Sequence, residues 1–169
     1  MKNKRQVIAF RRKRSGKTNY KKRIAYLTSG IPRLVIRKSL KNMSVQFISY
    51  EAQGDKILAS ASSKELKKYG WNGAGSNIPS SYLVGFLAGK KAHSAKVMKA
   101  IVDLGLYQPV KGSKIYAVVK GVVDAGVEVP HDATVLPAAE RIQGKHIEAH
   151  RKSQTEKNFA ETLAKIKGK

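Results

Sequence analysis

Apolar positions along this chain fall first into short alternating runs and later into longer helical stripes. Leu34-Val35-Ile36 lies between Arg33 and Arg37. Val45, Phe47 and Ser49 alternate with Gln46, Ile48 and Tyr50, and Ile57-Leu58-Ala59 follows a Gln53-Gly54-Asp55-Lys56 turn. A period of two turns alternate side chains to one face, and connections this short join antiparallel neighbours. The pattern predicts a three-strand antiparallel meander.

The period changes after residue 70. Residues 70–77 read as a glycine-rich loop, and Pro79 fits the first turn of a helix running to about Ala92. Gly85 and Gly89 share one face of that helix, a spacing that predicts close packing on a sheet. Ala100-Ile101-Val102-Asp103-Leu104 reads as a buried strand. Ser113 stands where it can cap a second helix that ends at Gly126, with Ile115, Val118, Val119 and Val122 as its apolar stripe. The valines leave a strand open as the alternative there. Pro137 opens a short helix that stops at Gly144. Ser153 with Glu156 makes a capping-box pattern for a C-terminal helix whose one face carries Phe159, Leu163 and Ile166. The expected architecture is a single α/β domain. It has a mixed sheet, with an antiparallel three-strand meander followed by α-β-α. A basic N-terminal arm (1–24) precedes the domain (25–150), and a basic tail (151–169) with a short helix follows it.

Charge changes this picture from a fold to a partner. The 169 residues hold 34 Lys and Arg against 11 Asp and Glu, a net charge of +23. Residues 1–50 contain 15 of these cations and no carboxylate before Glu51. Ordinary soluble surfaces mix the two signs, so an acid-free first third points to a polyanion. No run of about 18 apolar residues is present to span a bilayer, and no apolar segment follows the basic start as in a signal peptide. Nucleic acid is therefore the expected polyanion, and no membrane partner is expected. The absence of cysteine excludes disulfides and thiolate metal sites and accords with a reducing cytosol.

The arm carries Arg11-Arg12-Lys13-Arg14 and Lys21-Lys22-Arg23 with too few apolar residues for a core of its own, so it is expected to order on its partner. Phe10 and Tyr20 offer ring faces for stacking, and the Gly16 amide lies open to a phosphate. Catalytic motifs are weak by contrast. Arg14-Ser15-Gly16-Lys17-Thr18 ends like a phosphate-binding loop, but Arg11 stands where that loop needs glycine. Gly73-Ala74-Gly75 lacks the third glycine of a dinucleotide fingerprint. His146 and His150 have the spacing of a helical zinc pair without a third ligand. Asp103 and Asp124, on adjacent elements, offer the pair of carboxylates that a two-metal nuclease requires. A phosphate-handling enzyme or nuclease is thus the alternative of another class, testable by whether catalytic groups converge. A general nucleic-acid compactor is a third reading, and it predicts no preference among RNAs.

Ordered segments carry a resemblance over about residues 10–150. They are Arg11-Arg12-Lys13-Arg14-Ser15-Gly16-Lys17-Thr18-Asn19-Tyr20, Pro32-Arg33-Leu34-Val35-Ile36-Arg37-Lys38-Ser39 and Gly54-Asp55-Lys56-Ile57-Leu58-Ala59-Ser60-Ala61. Lys68-Tyr69-Gly70-Trp71, Tyr82-Leu83-Val84-Gly85-Phe86-Leu87-Ala88-Gly89, Asp103-Leu104-Gly105-Leu106 and Lys111-Gly112-Ser113-Lys114 continue the series. Asp124-Ala125-Gly126, Val135-Leu136-Pro137, Glu140-Arg141-Ile142 and Gly144-Lys145-His146-Ile147 complete it. The set resembles the archaeal and eukaryotic branch of the L-eighteen family of large-subunit ribosomal proteins, and the length suits its archaeal members. The resemblance implies an α/β core without catalysis or cofactor, located in the cytoplasmic ribosome. It implies binding to 5S rRNA, contact with 23S rRNA at the central protuberance, and neighbouring large-subunit proteins that include a second 5S-binding protein. The implied RNA-binding residues are Arg11, Arg12, Lys13, Arg14, Lys17, Thr18, Asn19, Tyr20, Lys22, Arg23, Arg37, Lys38, Arg141, Lys145 and His146. The chain departs from the family's frequent residues at Asn19, Asn42, Ile78 and Tyr107; Ile78 bears on where the first long helix starts.

Overall fold

A computed structural model describes residues 7–151 and 154–168. Strands β1 (Arg33–Lys38), β2 (Met43–Ser49) and β3 (Lys56–Ser62) form the expected antiparallel meander. β4 (Ile101–Asp103) adds parallel to β1, giving the order β3-β2-β1-β4 in a mixed sheet. Leu34 pairs with Phe47, and Phe47 with Ala59, so the alternating apolar residues line up across the meander on one face. Leu34, Ile36, Val45 and Phe47 are fully enclosed. β4 is a shorter and more exposed strand than its apolar run suggests. Ile101 and Val102 are half-buried, because the strand lies at the sheet edge, and its buried residue is the charged Asp103.

Two helices precede the sheet, α1 (Arg11–Arg14) and α2 (Tyr20–Thr28). The sequence led us to expect no order here without a partner. Local hydrogen bonds and an ion pair to the sheet hold the two turns instead, although none of their residues is buried.

Helix α3 (Ile78–Ser94) runs through the middle of the molecule, and every residue from Pro79 to Gly89 is buried. Its neighbours are the sheet, α4 (Lys114–Asp124), α5 (Ala139–Gln143) and α7 (Thr155–Lys167). A helix apolar around its circumference is stable in water only when enclosed in this way. Its start is set by Asn77. The Asn77 carboxamide oxygen accepts from the Ser80 amide at 2.9 Å, and the Ser80 hydroxyl accepts from the Asn77 amide at 3.2 Å. This reciprocal cap places Pro79 in the first turn and makes the residue type at 78 unimportant to the start.

Gly85 and Gly89 do not face the sheet, as their spacing led us to expect; they face α4. A Cβ on Gly85 would collide with the Val118 carbonyl, and one on Gly89 would stand 2.6 Å from the Ala125 Cβ. Gly121 of α4 answers from the other side, where a Cβ would meet the Tyr82 carbonyl and the Phe86 amide. Side chains ordinarily hold packed helix axes about 8–10 Å apart, and glycine on both partners removes that spacer. The valine-rich run is the helix α4, with Ile115, Val118, Val119 and Val122 enclosed. Ser113 occupies its N-cap, but the hydroxyl makes no capping bond and is buried without a partner. Tyr82 donates from its hydroxyl to Asp124 at 2.9 Å, and burial first and the carboxylate second push its pKa well above the ordinary tyrosine value.

The chain after Pro137 forms two helices where one was expected. α5 starts at Ala139, Gly144 takes a left-handed conformation (φ +90°), and α6 (Lys145–Arg151) begins at once. Gly144 thus turns the chain between two helices instead of ending one in a loop. The C-terminal helix α7 buries Phe159, Thr162 and Ile166 and leaves Leu163 half-buried. Lys90 of α3 closes its end by donating to the carbonyls of Ile166 (3.0 Å) and Lys167 (2.9 Å). The Ser153 half of the capping box lies outside the described residues. Gln154 is the N-cap, without a side-chain bond.

Candidate nucleic-acid interface

The arm is built from short-range polar bonds. Arg12 donates from Nε to the Thr18 hydroxyl at 2.9 Å, the Lys17 amide donates to the Arg12 carbonyl at 2.9 Å, and the Asn19 carboxamide caps α2 by accepting from the Lys22 amide at 3.2 Å. Thr18 and Asn19, expected as RNA ligands, therefore also shape the arm. The Gly16 amide was expected to be open to phosphate; it donates to the Lys13 carbonyl at 3.1 Å. Glycine is used there for its left-handed turn (φ +62°). Phe10 and Tyr20 pack on each other with ring centroids 5.0 Å apart, yet Phe10 remains largely exposed.

Arg11, Arg12, Lys13 and Arg14 make up the whole of α1, all exposed. Lys21, Lys22 and Arg23 occupy the first turn of α2, which has no acid. That is the positive end of the helix dipole, where cations are unfavourable by about 0.3–1 kcal/mol each and anions are favoured. Bound phosphate would relieve both the dipole and the mutual repulsion.

A cleft separates the arm from the sheet. Arg12, Lys17, Thr18, Asn19, Lys22, Arg23 and Tyr26 line one side, and Arg33, Arg37, Asp103 and Gly105 line the other. Arg33 and Arg37 both lie on β1. Arg33 is buried and donates to Asp55 at 2.7 Å and to Asp103 at 3.2 Å. Arg37 donates to the Asp103 backbone carbonyl at 2.9 Å and stays nearly half exposed. Lys38 at the end of β1 stands 4.9 Å from the centre of the Tyr107 ring. Tyr26 keeps its proton more firmly than an ordinary tyrosine, because of burial first and the Asp103 charge second. Six cations thus converge on one cleft, four from the arm and α2 and two from β1.

Arg141, Lys145 and His146 form a separate element on α5 and α6. Arg141 and Lys145 are exposed and His146 is partly covered. Lys145 and His146 lie on the first turn of α6, not on the free turn expected. Partial burial, then the nearby charges of Arg141 and His150, hold the His146 pKa below the ordinary histidine value. Its Nδ1 is shut off from solvent and makes no hydrogen bond.

The catalytic alternatives do not assemble. Asp103 is held by Arg33, Arg37 and the Gly105 amide, whereas Asp124 is held by Tyr82 and Lys120, so the two carboxylates serve different ion pairs. Among the described residues no group of three or more His, Asp or Glu is placed to hold a metal ion. Sequence reading missed Arg33 and Asp55 as parts of the site and took Asp103 for a nuclease candidate. The signal present was a lone cation beginning one apolar strand and a lone carboxylate ending another, a pattern that predicts cross-strand pairing.

Comparison with known proteins gives the same direction throughout. The family model described as "Ribosomal large subunit proteins 60S L5, and 50S L18" matches residues 4–97 and 90–132. The large ribosomal subunit protein uL18 of Korarchaeum cryptofilum is 49% identical over 143 residues, covering 85% of this chain and 73% of that protein. The uL18 of Methanococcus maripaludis is 44% identical over 156 residues, covering 92% and 76%.

Proposed function

We propose, from the premise that this chain belongs to the L5/L18 family of large-subunit ribosomal proteins, that it binds 5S rRNA and helps attach it to 23S rRNA. At the coarser level the chain is a structural constituent of the large subunit in the cytoplasmic ribosome, not an enzyme. The observation that carries the finer reading is the cleft: five accessible cations from α1, α2, the turn between them and β1 line it, with Arg33 buried and already paired to Asp55 and Asp103. Arginine fits phosphate with planar paired donors and lysine adds point charge, and a shaped cationic cleft selects folded RNA by its backbone geometry. The exposed ring of Phe10 on the arm suits an unstacked base. Arg141 and Lys145 add a second patch suited to another stretch of backbone, and a neighbouring 5S-binding protein completes the particle.

The test is competition binding. The full chain should prefer 5S rRNA to a duplex RNA of equal length by at least about tenfold at near-physiological salt. Equal affinity for both RNAs would make the protein a general compactor and end the 5S assignment.

A further inference from the structure

We infer that Asp55 is a positioning residue for RNA binding, holding α2 and the arm before it against the sheet through Arg23. The inference rests on the RNA-binding reading but has a test that needs no RNA. It begins from an oddity of charge. A surface that binds a polyanion gains nothing from a carboxylate beside its cations, yet Asp55 stands among them.

The contacts give the reason. Asp55 Oδ2 accepts from Arg33 at 2.7 Å and from Arg23 at 3.3 Å. Arg33 belongs to β1 and Arg23 to α2, so one carboxylate oxygen joins the arm to the sheet. Asp103 has a different duty. It is buried with Arg33 and also holds Arg37, and it satisfies a guanidinium that would otherwise be enclosed without a counter-ion. With Asp103 in place, Arg33 does not depend on Asp55; the link to Arg23 does.

That link matters because α1 and α2 bury no residue of their own. Tyr26 and Leu27 of α2 are only half-buried, so apolar packing holds the helix weakly, and like charges on the arm and on β1 push the two apart. Each residue left free before binding must be ordered on the RNA, and that ordering subtracts from affinity. A carboxylate shared between the two bodies offsets the repulsion and sets the width of the cleft in advance. Long-range attraction alone predicts the opposite effect of its removal, because one acid fewer should strengthen RNA binding.

Two measurements test this. The chain has no cysteine, so spin labels can be placed cleanly at Lys21→Cys on α2 and Ser60→Cys on β3. The distance distribution should be narrow in the otherwise unaltered protein and broad after Asp55→Asn. Arg23→Gln, which leaves the sheet's own ion pairs intact, should broaden it as well; narrow distributions in both variants would overturn the inference whatever the RNA result. In the unlabelled protein Asp55→Asn should bind 5S rRNA about three- to tenfold more weakly, although it carries more net positive charge. Asp55→Glu should recover most of the loss. Glu128→Gln, which removes an exposed acid paired with Lys99, should leave affinity equal or slightly higher. Unchanged or improved affinity in Asp55→Asn, with the melting temperature kept, would also overturn it. A failure of the unaltered chain to select 5S rRNA would instead count against the RNA assignment and leave the distance result standing.

Discussion

The arm and the α3–α4 pair are held by opposite kinds of force. Residues 11–28 form two helices with no buried residue, fixed by caps, a few polar bonds and an ion pair to Asp55. In α3 and α4 the backbones approach so closely that Gly85 and Gly121 cannot gain a Cβ without collision. Packing of the second kind is insensitive to salt and intolerant of volume. Electrostatic placement of the first kind tolerates volume and depends on charge. The chain thereby separates a rigid body from an adaptable binding arm, so the two can be damaged independently.

The largest break in that comparison should come from removing the arm. Deleting residues 1–18 keeps Asn19 and its cap on α2, and it should lower 5S rRNA affinity by roughly 10²–10³-fold at moderate salt. If about 6–8 phosphates are neutralised, the intact chain should show a log–log salt slope of roughly −4 to −7, and the truncated chain a shallower one. Its melting temperature should hardly move. An unchanged slope would show that binding lies elsewhere.

The converse variant is Gly85→Ala. It forces a methyl group into the Val118 carbonyl and should cost about 1–3 kcal/mol of folding stability, read by denaturant titration. RNA affinity of the folded fraction should stay the same. A stability gain from the better helix former would mean that the two backbones separate freely.

Arg141→Ala with Lys145→Ala sharpens the comparison on a second patch of the body. Both side chains are exposed, so stability should be nearly unchanged. Each lost phosphate contact should weaken RNA binding by about 1 kcal/mol at moderate salt. Melting and binding measured on the same double variant decide the matter, and loss of fold with affinity intact would assign the pair to structure.

The smallest expected effect concerns pH. The fold disfavours the charged form of His146, so its pKa is lower folded than unfolded. Protonation therefore favours the unfolded chain. The stability involved is fully present above the ordinary histidine range and is lost as pH falls through it toward the folded value. Between about pH 7 and pH 5 the unaltered protein should lose slightly more melting temperature than His146→Gln. Parallel melting curves for the two would show that His146 does not contribute.

Much of the fold was readable from residue order. Val45 and Phe47 alternate with half-buried neighbours, and the meander follows; Ile115, Val118, Val119 and Val122 recur at helical spacing, and α4 follows. The candidate cations of the arm and of β1 were also readable, because fifty residues without a carboxylate repel one another unless a polyanion neutralises them. Less readable were the helix starts and stops. Asn77, not Pro79, determines where α3 begins, since the reciprocal cap depends on how the loop before it is folded. Gly144 joins two helices through a left-handed turn, and Thr155 and Pro79, neighbours from other segments of the chain, crowd the place a Cβ would occupy.

Residue order by itself determined the class of fold, the basic arm and the kind of partner. Each of these depends on local periodicity or on summed charge, and neither needs a partner elsewhere in the chain. Only the tertiary structure decided that Gly85 and Gly89 face α4 and not the sheet. It alone decided that Asp55 and Asp103 divide two tasks around Arg33. Those outcomes are pairwise. A glycine states that something comes close, and a carboxylate states that it needs a counter-ion, but which group arrives is settled by the registers of β1 with β4 and of β2 with β3 and by the crossing of two helices.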